Sequence, residues 1–126
     1  MAEPSARPDY ATPAIDAFGD HGFRVAGTRH EGSIQILGGA VEPWDHPEAP
    51  TELTPAHFKA ILEAGDPPDL VILGIGAAMR HPPAAVREAF RQAGIGLETM
   101  DTPTACRAYN VVAGEARRAW AALIAV

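Results

Sequence analysis

Two glycines flank Ile75 directly after an apolar run, in Asp69-Leu70-Val71-Ile72-Leu73-Gly74-Ile75-Gly76, and Arg80 and His81 follow closely. Glycines at such a turn let backbone amides approach a phosphate or carboxylate, over which a nearby cation closes. The motif lacks the Gly-Lys-Ser/Thr of a P-loop. With Met79 at the sixth position, it also lacks the full Gly-x-Gly-x-x-Gly fingerprint. The same glycines equally well permit only a tight turn out of a strand. Cys106 is a second candidate, because the first turns of a helix lower a thiol pKa. No histidine lies near it in sequence, however, and cysteine is among the most often buried residue types. Tyr109 and Asn110 offer a hydroxyl and an amide without a base to activate them, and Asn110 suits hydrogen bonds to a neighbouring loop. Glu115 with Arg117 or Arg118 suits an ion pair that fixes a turn.

Metal chemistry finds no support. The histidines (His21, His30, His46, His57, His81) form neither His-x-His nor His-Glu-x-x-His. No two carboxylates are placed by local spacing for acid–base work. The candidate crevice therefore comprises Gly74, Gly76, Arg80, Cys106, Tyr109 and Asn110, with Glu115–Arg117 as a structural ion pair. No catalytic residue, metal or cofactor is assigned.

The elements that position these residues follow from periodicity. Ile15 to Phe18, Phe23 to Ala26 and Ser33 to Leu37 are short β-type runs, separated by turn clusters at Gly19–Gly22 and Arg29–Gly32. Ala40 to Trp44 reads as an edge strand because of its proline, and Asp45 to Leu53 as an acidic surface loop. Thr54-Pro55 opens a first helix that buries Phe58, Ile61 and Leu62 and stops at Gly65. Leu70 to Leu73 is uniformly apolar, as expected of a strand covered on both faces. A helix over Pro83 to Ala93 turns Val86, Ala89, Phe90 and Ala93 inward and Arg87 and Arg91 outward; Gly94 stops it. A strand over Ile95 to Met100 follows. The helix over Pro103 to Ala113 carries Ala105, Tyr109, Val112 and Ala113 on one stripe, flanked by Cys106 and Asn110. The tail from Arg118 is ambiguous, since its alanines favour helix and its ending favours a strand.

The chain has 126 residues, a length that suits one domain with one core. Residues 1–13 read as a mobile arm and 14–126 as a single α/β domain. No apolar run approaches the roughly 20 residues of a membrane span, and the N-terminus lacks the apolar core of a secretory signal. A lone cysteine excludes an internal disulfide and suggests a reducing cytoplasm. The net charge of −6 is uneven. Residues 1–70 carry twelve acids against four bases, and residues 71–126 four acids against six arginines. An acidic half argues against broad nucleic-acid binding. Trp44, read as exposed, the acidic loop Asp45–Glu52 and the arginine-bearing helix are expected contact surfaces for a homodimer.

Taken together, several pieces resemble the family labelled domain of unknown function 498, which includes a mitochondrial complex I assembly factor. They are Leu70-Val71-Ile72-Leu73-Gly74-x-Gly76, Pro82-Pro83, Gly94-Ile95, Met100-Asp101-Thr102, Ala105-x-x-x-Tyr109-Asn110 and Glu115-x-Arg117, with Gly32-Ser33 and Trp44 upstream. The resemblance spans roughly residues 14–125. Ile75, Ala108 and Ala116 replace a threonine, a threonine and a glycine of the usual pattern, and the two lost hydroxyls weigh against polar catalysis. The resemblance implies a three-layer α/β fold with a mixed central sheet, helices packed on it and an additional β-layer. It also implies that the tail is a strand, and its members have no established enzymatic activity. The expected function is a non-catalytic binding or assembly factor with protein partners. The mitochondrial relative serves a respiratory complex at the inner membrane, so a peripheral meeting with such a complex is included. The alternative is a small enzyme or sensor holding an anionic metabolite in the crevice after strand 70–74.

Overall fold

In the computed structural model of the chain, residues 13–113, 115 and 118–126 are described. The arm expected at residues 1–13 lies, apart from Pro13, outside them. Three strands, β1 (Ile15–Phe18), β2 (Gly22–Val25) and β3 (Thr28–Glu31), form an antiparallel sheet in the order β1-β2-β3. The cluster Arg29–Gly32, expected as a turn, is mostly this third strand. Its residues are largely exposed, so no apolar alternation marks it. The actual turn is Ala26-Gly27, where φ values of 49° and 83° join the Val25–Thr28 pair as a two-residue type I′ hairpin.

The main sheet has five strands in the order β5-β4-β8-β6-β7, from β4 (Ile34–Leu37), β5 (Ala40–Pro43), β6 (Leu70–Gly74), β7 (Gly96–Met100) and β8 (Ala119–Leu123). β6 runs parallel to both β7 and β8, while β4 is antiparallel to β5 and β8, so the sheet is mixed. The tail is thus a strand, and a central one. Its alanines are there because both faces are covered: Ala121 faces one core cluster and Ala122 the other.

One face of this sheet is covered by α3 (Thr102–Ala113) together with the three-stranded sheet. Leu70 and Ile72 of β6 meet Ala105, Cys106 and Tyr109 of α3, and Ile15, Phe23 and Val25 of the β-layer. The other face is covered by α1 (Lys59–Leu62) and α2 (Ala84–Ala93), where Val71 and Leu73 meet Phe58, Ile61, Val86 and Phe90. These are the expected three layers, and β6 is buried along its whole length.

Three local expectations need correction. The helix from Thr54 to Gly65 is a 3-10 turn, Pro55–Phe58, followed by the single α-turn α1. The His57 ring accepts the Thr54 N–H at 2.9 Å and so favours a tight first turn. Ala93 points outward; α2 buries only Val86 and Phe90 fully. Trp44 is 7% exposed rather than a free contact surface. Its indole N–H donates to the His57 carbonyl at 2.8 Å, and its ring lies 5.4 Å from Phe58.

Ala26 holds a left-handed conformation that L-residues adopt at a cost, and asparagine tolerates it better. Ala26→Asn should therefore stabilise the protein by about 0.5–1 kcal/mol. The urea midpoint should rise with an unchanged m-value.

Candidate functional site

The turn after β6 is already filled by bonds of its own. The Ile75 amide donates to the Met100 carbonyl at 2.9 Å, and the Gly76 amide donates to Thr102 Oγ1 at 3.0 Å. The Thr102 hydroxyl in turn donates to the Ile124 carbonyl at 2.7 Å, and the Thr102 amide donates to the Gly76 carbonyl at 2.8 Å. A Cβ on Gly74 would lie 3.0 Å from Leu123 Cδ2 and Thr102 Oγ1 and 3.1 Å from Ala105 Cβ. Gly74 is thus needed for the close seating of α3 on the sheet, and Gly76, at φ 109°, for the turn. The Ile75 and Gly76 amides are therefore engaged within the fold.

The remaining crevice candidates do not gather around this turn. Arg80 stands on an exposed loop. Cys106 and Tyr109 lie inside the core under α3, 2% and 0% exposed. Burial pushes the Cys106 thiol from its ordinary 9.0 up to about 12, and raises the Tyr109 phenol as well. That is the opposite of an activated nucleophile. Asn110 clamps β1: its Oδ1 accepts the Ile15 N–H at 2.9 Å and its Nδ2 donates to the Ile15 carbonyl at 2.8 Å. Of the expected Glu115–Arg117 pair, Arg117 lies outside the described residues. Arg118, the other arginine considered for it, instead pairs with Asp66 at 3.2 Å and donates to the Pro67 carbonyl at 2.8 Å.

One polar constellation escaped the local patterns. His46 Nδ1 lies 2.7 Å from the Pro47 carbonyl, to which it donates, and Nε2 lies 2.8 Å from the Ser33 hydroxyl. The Ser33 oxygen also accepts the Ala125 N–H at 2.9 Å. A serine hydroxyl beside an imidazole is the beginning of a nucleophile–base pair. Here the hydroxyl ties the segment after β8 to the start of β4, with Trp44 packed 4.9 Å from the imidazole.

An open feature among the described residues lies elsewhere. Between α2 and β7 runs a cleft of about 260 Å³ lined by Arg87, Phe90, Arg91, Ile95, Leu97 and Thr99. Helix periodicity had already turned Arg87 and Arg91 outward. No local signal showed that β7 would be an outer strand, which is what leaves the cleft uncovered. Arg91 is paired with Glu88, whereas Arg87 donates Nη1 to the neutral Pro82 carbonyl at 2.6 Å. Among the described residues no group of three or more His, Cys, Asp or Glu side chains is placed to hold a metal. No helix among them is long and apolar enough to cross a membrane.

Residues 15–124 match the profile of a family described as "Protein of unknown function (DUF498/DUF598)". An uncharacterized protein of Rhodobacter capsulatus is 33% identical over 110 residues, covering 87% of this chain and 82% of that one. Human NADH dehydrogenase [ubiquinone] 1 alpha subcomplex assembly factor 3 is 31% identical over 110 residues, covering 87% of this chain but 59% of the human protein. Among solved structures, that of Rpa2829 from Rhodopseudomonas palustris superposes with a TM-score of 0.77 at 40% identity, covering 100% of this chain and 93% of that one.

Two measurements check the reading of Cys106 and Ser33. A thiol whose folded pKa is raised adds stability that is complete below its unfolded value and is lost as pH rises through the folded value. Stability should thus decline from about pH 9 towards pH 12, and Cys106→Ala should remove part of that decline in a pH series of urea melts. Ser33→Ala leaves the Ala125 amide and His46 Nε2 without their shared partner and should cost about 1–3 kcal/mol in the same assay.

Proposed function

The chain belongs to the DUF498/DUF598 family, and from that premise we propose that it acts as a non-catalytic binding or assembly factor whose partners are proteins. The observation that carries this reading is the relation to the human assembly factor, which extends over 87% of the chain. The chemistry of the interior supports it. The one cysteine is buried and protonated, the Ile75 and Gly76 amides are bonded within the fold, and the family-like Tyr109 and Asn110 serve packing and the β1 clamp. A partner at an inner-membrane respiratory complex is the finer form of the proposal. The chain spans 59% of the human relative's length, so that protein's role carries over only as a proposal.

The competing reading, an anionic metabolite held after strand 70–74, would have to displace the Gly76–Thr102 bonds to use the Gly76 amide as a donor. Cross-linking of the tagged chain in its native host, followed by mass spectrometry, decides between the two. Reproducible protein partners, with loss of an assembled membrane complex when the gene is removed, are expected. Failure to recover any partner, together with turnover or thermal stabilisation by a phosphate or carboxylate metabolite that Arg80→Ala abolishes, would sink the proposal.

A further inference from the structure

We propose that the free edge of β7 and the cleft beside it form a docking site for an extended segment of a partner protein, one carrying a carboxylate two residues from an apolar side chain. This site presupposes the protein-binding role above and gives it a location. In the β6–β7 pair the Gly96 amide donates to the Asp69 carbonyl and the Met100 carbonyl accepts from Ile75. Parallel pairing alternates sides, so Gly96, Glu98 and Met100 face β6 while Leu97 and Thr99 direct their N–H and C=O groups outward. Such a row of free groups is a template for another strand.

The other edges are blunted. β5 ends in Pro43, β1 is clamped at Ile15 by Asn110, and β3 carries the Arg29–Glu31 ion pair, with Arg29 also reaching the Gly19 and Asp20 carbonyls. β7 contains neither proline nor lysine.

The occupant's chemistry follows from the cleft. Strand side chains alternate with a period of two, so every second residue of an added strand faces Phe90, Ile95 and Leu97 below and Arg87 and Arg91 beside them. Glu88 balances Arg91, and among the described residues Arg87 has no carboxylate partner, its bond going to a carbonyl. One apolar and one acidic residue, both facing the cleft, match this lining. A second copy of the chain matches it worse, because twofold pairing of β7 with β7 would set the arginines of both α2 helices on one sheet face.

The test is titration of the labelled full chain with a panel of capped heptapeptides, each with glutamate at position three and leucine at position five, followed by amide NMR. Expected are shifts confined to β7 and α2 and slowed hydrogen exchange at Leu97 and Thr99. Thr99→Pro removes an outward N–H without touching the β6 ladder and should abolish binding. Arg87→Glu with Arg91→Glu should weaken it about tenfold or more and should favour control peptides with lysine at position three. Absence of shifts at millimolar peptide, shifts elsewhere on the surface, or a dimer that Thr99→Pro converts to monomer would each overturn the proposal. Should Thr99→Pro cross-link to the same native partners as the wild-type chain, the protein-binding role stands and this location falls. Should neither chain find a partner, the role itself falls, and the titration still decides the edge.

Discussion

Thr102 is fully buried, and its hydroxyl accepts from Gly76 and donates to the Ile124 carbonyl while its amide returns a bond to Gly76. The end of β6, the start of α3 and the residue after β8 therefore meet on one side chain. A buried hydroxyl with its hydrogen-bonding capacity used this fully is costly to disturb, because any one loss leaves a neighbouring backbone group unpaired. The rest of the architecture is arranged around this knot. Gly74 has no Cβ because α3 must sit against the strand, and small side chains at Ala105 and Ala121 keep that approach close. What resembles a ligand turn in sequence is a joint between layers.

The main sheet divides the interior into two cores that share no side chain, and the two sides have different tasks. Beneath α3 the packing binds the β-layer to the body, with Phe23, Val25 and Tyr109 filling the space between. Beneath α1 and α2 an aromatic series, Trp44, Phe58 and Phe90, spans the shorter helical layer, with Phe58 and Phe90 edge-to-face at 5.3 Å. This second layer stops at α2, and β7 beyond it is left partly uncovered. The cleft between α2 and β7 is thus a product of incomplete coverage.

Much of the fold was legible locally. The uniformly apolar Leu70–Leu73 demanded cover on both faces, and the Phe58/Ile61 and Ala105/Tyr109 spacings identified the buried stripes. Elements decided by tertiary context were not legible in this way. β3 is exposed and charged, so nothing in its composition distinguishes it from a turn. The burial of Trp44 depends on a carbonyl at His57 that returns to it from a separate turn. The alanine-rich tail took its strand character from family likeness. The candidate site followed the same division. Arg87 and Arg91 were readable as an outward face, but strand order is not a local property, and β7 becomes an edge only because β8 inserts between β4 and β6.

That insertion also bears on how the chain reaches its native state. Ile34 pairs with Leu123, so the middle of the sheet joins segments far apart along the chain, and closing such a long loop slows folding. Until β8 arrives, β4 and β6 each present an apolar strand with one side open to association with other molecules. The vulnerable interval in the life of this protein is therefore the wait for its central strand, and changes that delay the arrival of Ala119–Leu123 will show as aggregation during synthesis before they show as lower stability at equilibrium.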